Sequence, residues 1–181
     1  MRLSAEKREQ VRQRAGRACE YCGVTETDTA GLLTIDHFHP QARGGSDDLD
    51  NLVYCCHACN GFKSDYWPQG PDDPVLWNPR REAADVHLLE LADGRLFAIT
   101  DVGLFTLGRL RLNRPALVAH RMQRRENEKQ QRLMTRLGNV VTLLEQLSGQ
   151  HEALLAESRA LLQQQRRLLH ILLNQQESDK G

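Results

Sequence analysis

The sequence has few aromatic residues and no uninterrupted apolar stretch of membrane-spanning length. Aromatic side chains account for 5% and hydrophobic ones for 40% of the 181 residues. A transmembrane helix needs about 20 consecutive apolar residues, and no apolar run in the sequence approaches that length. Residues 1–9 mix arginine, lysine and glutamate and contain no apolar segment of the kind found in secretory signal peptides. These absences argue against an integral membrane protein and predict a reducing, cytoplasmic location.

Leucine is scarce before residue 75, so the N-terminal third can bury only a small apolar core and needs another means of stabilisation. Four of the five cysteines form two Cys-x-x-Cys pairs, separated by 33 residues, and Cys55 is left over. Such pairs are typical of a metal site rather than a disulfide framework. We therefore predict one structural Zn²⁺ in a closed tetrahedral site of four thiolates, from Cys19, Cys22, Cys56 and Cys59.

The formal net charge is zero and gives by itself no argument for nucleic acid, but the charges are segregated along the chain. Residues 1–17 carry six basic and two acidic side chains, residues 109–136 carry nine and two, and residues 25–101 carry five and fourteen. Basic flanks can hold a polyanion, and acidic side chains are ligands for divalent cations. Taken alone, the basic flanks are equally well explained as the solvent-exposed faces of helices.

Local patterns predict a mixed α and β chain. A helix is expected from Ser4, as its N-cap, to Ala18, and a later helix is expected to open at Pro115. Residues 66–85, rich in proline, are expected to be irregular. The remaining predicted elements are strands at Gly31–Phe38 and Asn51–Tyr54, a short helix from Cys56 to about Ser64, and a hairpin of residues 86–91 and 95–99 around Asp93-Gly94.

Leucines recur at three- and four-residue spacing near the C-terminus and predict an amphipathic helix. Polar residues interrupt this pattern at His151, Ser158 and Gln165, and Ser148-Gly149 weakens the helix locally. We therefore expect paired helices rather than a continuous rod: either a hairpin bent near Ser148-Gly149 or an intermolecular coiled coil. We call the pattern the leucine stripe; it comprises Leu133, Leu137, Val140, Leu144, Leu147, Leu154, Leu161, Leu168 and Leu172.

Between and just after the cysteine pairs lie polar residues suited to phosphodiester hydrolysis, which needs a base for the attacking water and positive charge beside the anionic oxygens. An imidazole is mostly neutral at pH 7–8, so His37 is the candidate base. Asp36 and Asn60 offer the oxygen ligands that Mg²⁺ prefers. In an ideal strand Asp36 and His37 point to opposite faces, so serving one cation together requires a bent strand end.

These residues stand in motifs that resemble the cysteine-containing HNH endonucleases over residues 17–65. The motifs are Cys-Glu-Tyr-Cys-Gly, Ile-Asp-His-Phe-His-Pro, Arg-Gly-Gly, Asp-Asn-Leu-Val and Cys-His-Ala-Cys-Asn-Gly-Phe-Lys. The resemblance implies a zinc-stapled, treble-clef-like ββα-metal core in an α+β chain. It also implies His37 as general base, Asn51 as the residue that pins the hairpin loop and orients His37, and Asp36 and Asn60 as ligands of Mg²⁺ or Mn²⁺. Lys63 is expected to contact phosphate, and His39 and Arg43 are further candidate substrate contacts.

A weaker similarity, to an extension of some bacterial HNH proteins, continues through Trp77-Asn-Pro-Arg-Arg, Asp93-Gly94 and residues 110–121. The predicted organisation is a nuclease core with its N-terminal helix at residues 1–67, a wrapping extension with a β-hairpin at 68–121, and a helical oligomerisation or docking segment at 122–181.

The leading functional interpretation is an endonuclease that cuts DNA with a histidine base and a single divalent cation, leaving 5′-phosphate and 3′-hydroxyl ends as the resemblance implies. One alternative is a catalytically silent zinc module that binds nucleic acid through its basic flanks and dimerises through the leucine stripe. Another is a nuclease subunit that the C-terminal helix docks onto a partner protein in a restriction or defence assembly. No helix-turn-helix or tandem-finger pattern predicts a sequence preference.

Overall fold

The computed structural model describes residues 3–178, with side chains described for residues 3–169. The chain divides into two compact units between Arg125 and Glu126, and we describe each unit by itself. The predicted three-part organisation, with boundaries after residues 67 and 121, stays a prediction.

The first unit begins with helix α1, Ala5–Arg14, whose N-cap Ser4 accepts a hydrogen bond from the Lys7 amide at 3.2 Å, as the sequence predicted. The helix ends earlier than Ala18 because Gly16 and Arg17 both adopt positive φ, at 59° and 58°, outside helical geometry. A one-turn helix that the sequence analysis missed, α2, spans Glu26–Thr29 and is held by a capping box of Thr25 and Asp28.

A β-hairpin and a short helix follow in the predicted order. Strand β1, Thr34–His37, pairs antiparallel with β2, Leu52–Cys55, in a register that sets Asp36 opposite Val53 and His37 opposite Leu52. Strand β1 is shorter than the predicted strand Gly31–Phe38, and β2 is shifted by one residue from the predicted strand Asn51–Tyr54. Helix α3, His57–Lys63, starts at its N-cap Cys56 and packs against β1.

The next segment forms the second hairpin and another helix. Strands β3, Leu88–Glu90, and β4, Leu96–Ala98, pair antiparallel on either side of the predicted Asp93-Gly94 turn. Helix α4, Asp101–Arg109, was not predicted, because its two glycines weaken the helical signal. Gly103 serves packing instead: a Cβ there would lie 2.2 Å from the carbonyl oxygen of His87.

One apolar core runs through the first unit. It joins residues of the first hairpin, such as Leu52 and Val53, to Leu110 and Leu112 beyond α4, all fully buried. Trp77 packs edge-on against Tyr21 of the cysteine region, with ring centroids 6.2 Å apart. Residues 68–121 therefore share their core with the cysteine-containing hairpin.

Helix α5, Pro115–Ser178, opens at Pro115 as predicted, and its residues from Glu126 onward make up the described part of the second unit. The hairpin alternative, with a bend near Ser148-Gly149, is wrong, because the helix continues through both residues as the continuous rod that we did not expect. A glycine costs a helix only about 1 kcal/mol, and the surrounding leucine, glutamine and glutamate favour helix.

Every side chain described in the second unit is exposed, including the leucine stripe up to Leu168. Leu172 lies outside the residues whose side chains are described. Within the described part of the chain, no helix is apolar over enough of its length to cross a bilayer.

Candidate functional site

The four cysteines predicted to bind zinc come together. Their sulfur atoms all lie within 4.8 Å of one another, and Cys22 Sγ is 3.8 Å from Cys56 Sγ. Four sulfurs at tetrahedral zinc bond lengths stand about 3.8 Å apart, so the donor set and its spacing suit a structural zinc ion. Among the described residues, no other group of three or more histidine, cysteine or carboxylate side chains is comparably close.

Local structure brings the two pairs together. Cys19 and Cys22 lie in a tight turn after α1, which the Cys19 amide closes by donating to the Val24 carbonyl at 2.8 Å. The Glu20 amide donates to the Tyr54 carbonyl at 2.9 Å and fixes this turn to β2. Cys56 caps α3, its sulfur accepting from the Cys59 amide at 3.4 Å. Hydrogen bonding from the neighbouring thiols, that of Cys19 first, lowers the pKa of the Cys56 thiol and favours the thiolate that zinc requires.

Arg114 also contacts the cysteine cluster. Its Nη2 lies 3.8 Å from both Cys56 Sγ and Cys59 Sγ, and its guanidinium lies 5.6 Å from the Phe62 ring centroid. Four thiolates around Zn²⁺ carry a net charge of −2, which a neighbouring cation offsets. The motif at residues 110–121 indicates no chemistry by its sequence alone, and this contact gives Arg114 a role.

Replacing Arg114 by glutamine is expected to weaken zinc retention about tenfold, since outer-sphere partners typically contribute at least that much to metal affinity. The measurement is the rate of zinc transfer to a chromogenic chelator from the zinc-loaded protein. Arg111→Gln is the matched control: Arg111 also lies over Phe62, at 4.7 Å, but makes no described sulfur contact. Equal rates for the two variants would contradict the assignment.

Asp36 is held by Lys63. The Lys63 Nζ lies 2.9 Å from Asp36 Oδ2 and donates to the His37 carbonyl at 2.9 Å, with the lysine side chain fully buried and the aspartate side chain 13% exposed. Burial raises the pKa of Asp36, an effect that the charge of Lys63 opposes. The expectation that Lys63 contacts phosphate is not supported, because the hairpin covers its ammonium group.

His37 turns toward the loop between β1 and β2. Its Nε2 lies 2.7 Å from Asp47 Oδ1, which also accepts from Gln41 Nε2 at 2.7 Å. The bond with His37 lowers the pKa of Asp47, so the carboxylate is ionised and favours a proton on Nε2. In that tautomer Nδ1 keeps its lone pair. Asp36 and His37 thus reach different partners, as strand alternation leads one to expect.

Asn51 braces the same loop with three hydrogen bonds. Its Oδ1 accepts from the His39 amide at 2.8 Å, and its Nδ2 donates to the carbonyls of His39 and Ser46 at 3.0 and 2.7 Å. The loop passes so close to β1 that a Cβ at Gly45 would lie 1.8 Å from the His39 carbonyl oxygen. Asn51 therefore fixes the segment that carries Asp47.

The remaining predicted residues lie around this hairpin. His39 stacks on Trp67 with centroids 3.9 Å apart and planes 19° apart. Arg43 is exposed at the end of a short 3₁₀ turn. Asn60 is half-buried on α3, one turn before Lys63. Its amide donates to the Cys56 carbonyl, and its carbonyl accepts from the Ser64 amide.

Several basic residues of the two flanks hold the fold together. Lys7 Nζ donates to the Asp47 carbonyl at 2.9 Å, and Arg14 donates to the carbonyls of Leu49 and Leu52. Arg121 is 97% buried and donates to the carbonyls of Gly94 and Leu112. Part of the charge segregation therefore has a structural cause.

Sequence reasoning missed Asp47 and Trp67. Asp47 stands in a Gly-Gly-Ser-Asp-Asp run, which by composition indicates only a loop, and Trp67 stands in a proline-rich segment with no periodic pattern. Asp47 lies ten residues after the candidate base His37, in the loop between the two predicted strands, and this position is the signal that could have singled it out.

Comparison with known proteins identifies one family. No curated protein and no solved structure matches the chain significantly. The family model described as HNH endonuclease matches residues 19–65, about a quarter of the chain, and this segment runs from the first cysteine of the cluster past the end of α3. The resemblance inferred from the motifs is thereby confirmed for residues 19–65.

Proposed function

We propose that this protein is an endonuclease that hydrolyses DNA phosphodiester bonds with His37 as general base and one Mg²⁺ or Mn²⁺ ion. The observation that carries the proposal is the 2.7 Å contact between His37 Nε2 and Asp47 Oδ1. His37 directly follows Asp36 on β1, and the Asp36 side chain is only 13% exposed. Nuclease or nucleic-acid-related function agrees with the HNH match.

Asp36 and Asn60 are the proposed ligands of the divalent cation. Asp36 Oδ2 is buried and ion-paired with Lys63 Nζ at 2.9 Å, so a divalent cation bound there would share the carboxylate with that ammonium. A carboxylate and an amide oxygen are ligands that Mg²⁺ accepts, with water and phosphate oxygens completing its shell. The bound cation would supply positive charge to the phosphate and to the departing oxygen.

In the proposed reaction His37 takes a proton from the attacking water at Nδ1. Asp47 keeps Nε2 protonated and stabilises the imidazolium that results. Asn51 acts through the loop, since its bonds to His39 and Ser46 hold Asp47 in place. Zinc at the four cysteines holds α3, and with it Asn60, against the hairpin.

The test is nicking of supercoiled plasmid by the zinc-loaded protein with and without added Mg²⁺ or Mn²⁺. We expect open-circular and linear products only with added divalent cation. Zinc content is measured in parallel. A protein that carries one zinc per chain and cleaves no DNA under either condition would refute the proposal.

Replacing Asp47 by asparagine is expected to lower kcat for plasmid nicking by about tenfold to a hundredfold, with KM unchanged. An amide no longer favours the Nε2-protonated tautomer but leaves the substrate contacts alone. Asp47→Glu should recover part of the loss. Asp65→Asn is the control, because Asp65 is exposed, accepts from Ser64 Oγ and has no described bond to His37. A change in KM alone would assign Asp47 to substrate binding instead.

The second candidate is a catalytically silent, zinc-containing DNA-binding module. The ion pair between Lys63 and Asp36 favours it, because the ammonium already neutralises the carboxylate. Such a module binds plasmid DNA with unchanged affinity when Asp36 or His37 is replaced and shows no turnover with any divalent cation.

The leucine stripe is the proposed surface for helix pairing, either between two copies or with a partner protein. Replacing both Leu147 and Leu154 by glutamate is expected to convert a dimer to a monomer in light scattering, because charges do not bury in a helical seam. Thr142→Glu with Gln163→Glu adds the same charges on the opposite helix face and should leave the mass unchanged. A monomeric unmodified protein would assign the stripe to a partner of different sequence.

A further inference from the structure

A cavity of roughly 910 Å³ lies beside the proposed catalytic hairpin. Its lining comes from the end of β1, from the loop that Asn51 braces, and from the segment after α3. Neither Asp36 nor His37 lines it, so it is separate from the proposed metal ligand and the proposed base. Nothing in the proposed reaction uses this space.

One side of the cavity is aromatic. Trp67 stacks on His39, and the edge of Phe38 meets the Trp67 ring at 86° with centroids 6.1 Å apart. Tyr66 also lines the cavity, and its hydroxyl donates to the Pro74 carbonyl. These rings are held by contacts on more than one side, and rigid aromatic surfaces of this kind stack nucleobases with little sequence preference.

The polar groups at the cavity disfavour a phosphate. Asp48, Asp50 and Glu82 line it, and Arg81 is the one lysine or arginine among its lining residues. Carboxylates repel the nucleic-acid backbone but accept hydrogen bonds from exocyclic amino groups. His39 Nε2 is buried and has no hydrogen-bond partner among the described residues. The lining thus suits a flat, uncharged group that carries both donors and acceptors.

The cavity is also tied to the proposed site of cleavage. His39 follows His37 by two residues, and Asn51, which bonds His39, both lines the cavity and fixes the loop of Asp47. When the phosphate of one nucleotide lies at Asp36 and His37, the base of the neighbouring nucleotide can therefore reach this cavity.

We propose that the cavity binds a single unpaired base of the DNA strand next to the phosphate that is cut, stacked on the Trp67 side and hydrogen-bonded by the carboxylates of Asp48, Asp50 and Glu82. This inference rests on the proposed function for its location. A base site of this kind makes a locally unpaired DNA site the preferred substrate. It favours adenine or cytosine, which carry exocyclic amino groups, over thymine, which carries none.

The test measures binding, so it does not depend on cleavage. Fluorescence anisotropy measures binding of the zinc-loaded 181-residue chain, without added Mg²⁺ or Mn²⁺, to three duplexes that differ only at one position: fully paired, one extra adenine, or one extra thymine. We expect the unpaired adenine to tighten binding about tenfold over the paired duplex, with thymine in between. A 2-aminopurine at the same position is expected to lose fluorescence when it stacks on Trp67.

Trp67→Ala should reduce the preference to less than twofold and leave affinity for the paired duplex unchanged, whereas Trp67→Phe should keep most of it. Zinc content and circular dichroism check that each variant folds. Equal affinity of the unmodified protein for the three duplexes, or binding to none, overturns the base site even if Trp67→Ala cannot be folded. Loss of cleavage with the preference intact overturns the nuclease proposal alone.

Discussion

Replacing His37 by alanine is expected to lower the rate of DNA cleavage by about 10² to 10⁴, the usual contribution of a positioned general base. The variant leaves Asp36, the cysteine cluster and the loop bonds of Asn51 in place, so DNA affinity and zinc content should be unchanged. The measurement is kcat for plasmid nicking in saturating Mg²⁺ or Mn²⁺, with affinity measured separately.

His57→Ala is the control for this variant. His57 is an exposed histidine at the first position of α3 and makes no described side-chain bond, so its removal should leave the rate within twofold. Equal losses for the two variants would mean that the imidazole of His37 has no special role. Full activity of His37→Ala would require another base and would reduce the 2.7 Å contact with Asp47 to a structural one.

Replacing Cys59 by serine is expected to unfold the cysteine-containing hairpin. Zinc binding by four thiolates contributes roughly 10 kcal/mol or more to folding in small zinc modules, which matches or exceeds the total stability of about 5–15 kcal/mol of an ordinary domain. Little else can replace it here, since the hairpin is short and its strands have only four residues each. The measurement is loss of zinc together with loss of amide-exchange protection in residues 34–63.

Cys55→Ala is the matched control for the zinc prediction. Cys55 is fully buried next to the cluster but is not one of the four clustered cysteines, and burial raises the pKa of its thiol, so the thiol stays neutral. We expect this variant to keep its zinc and to lose only about 1–2 kcal/mol of stability through the lost packing. Zinc loss in Cys55→Ala, or full protection in Cys59→Ser, would contradict the assignment of the ligands.

Much of the first unit could be predicted because each signal had a local physical cause. The hydroxyl of Ser4 caps α1, the sulfur of Cys56 caps α3, and the fixed φ of Pro115 opens α5. Two cysteine pairs with metal-site spacing predicted the close approach of residues that are far apart in sequence. The alternative of a bend at Ser148-Gly149 was wrong because a local propensity of about 1 kcal/mol does not end a long helix.

The partners of the site residues could not be predicted in the same way. Burial of Lys63 against Asp36 depends on how closely α3 approaches β1, and the contact of His37 with Asp47 depends on the path of the loop between β1 and β2. Tertiary packing sets both, and a lysine after a cysteine motif is exposed in most contexts. The cavity beside Trp67 likewise depends on where an irregular segment runs.

The shared core of the first unit bears on how the protein can be divided. Leu110, Leu112 and Trp77 lie outside the family match, yet they are buried in the same cluster as Leu52 and Val53. A fragment that stopped at residue 67 would present this apolar surface to water and would also lack Arg114. For crystallisation, for fusion proteins or for transplanting the HNH-like segment into another scaffold, a fragment should therefore extend to about Arg125, where the first compact unit ends, rather than stop where the recognisable motif ends.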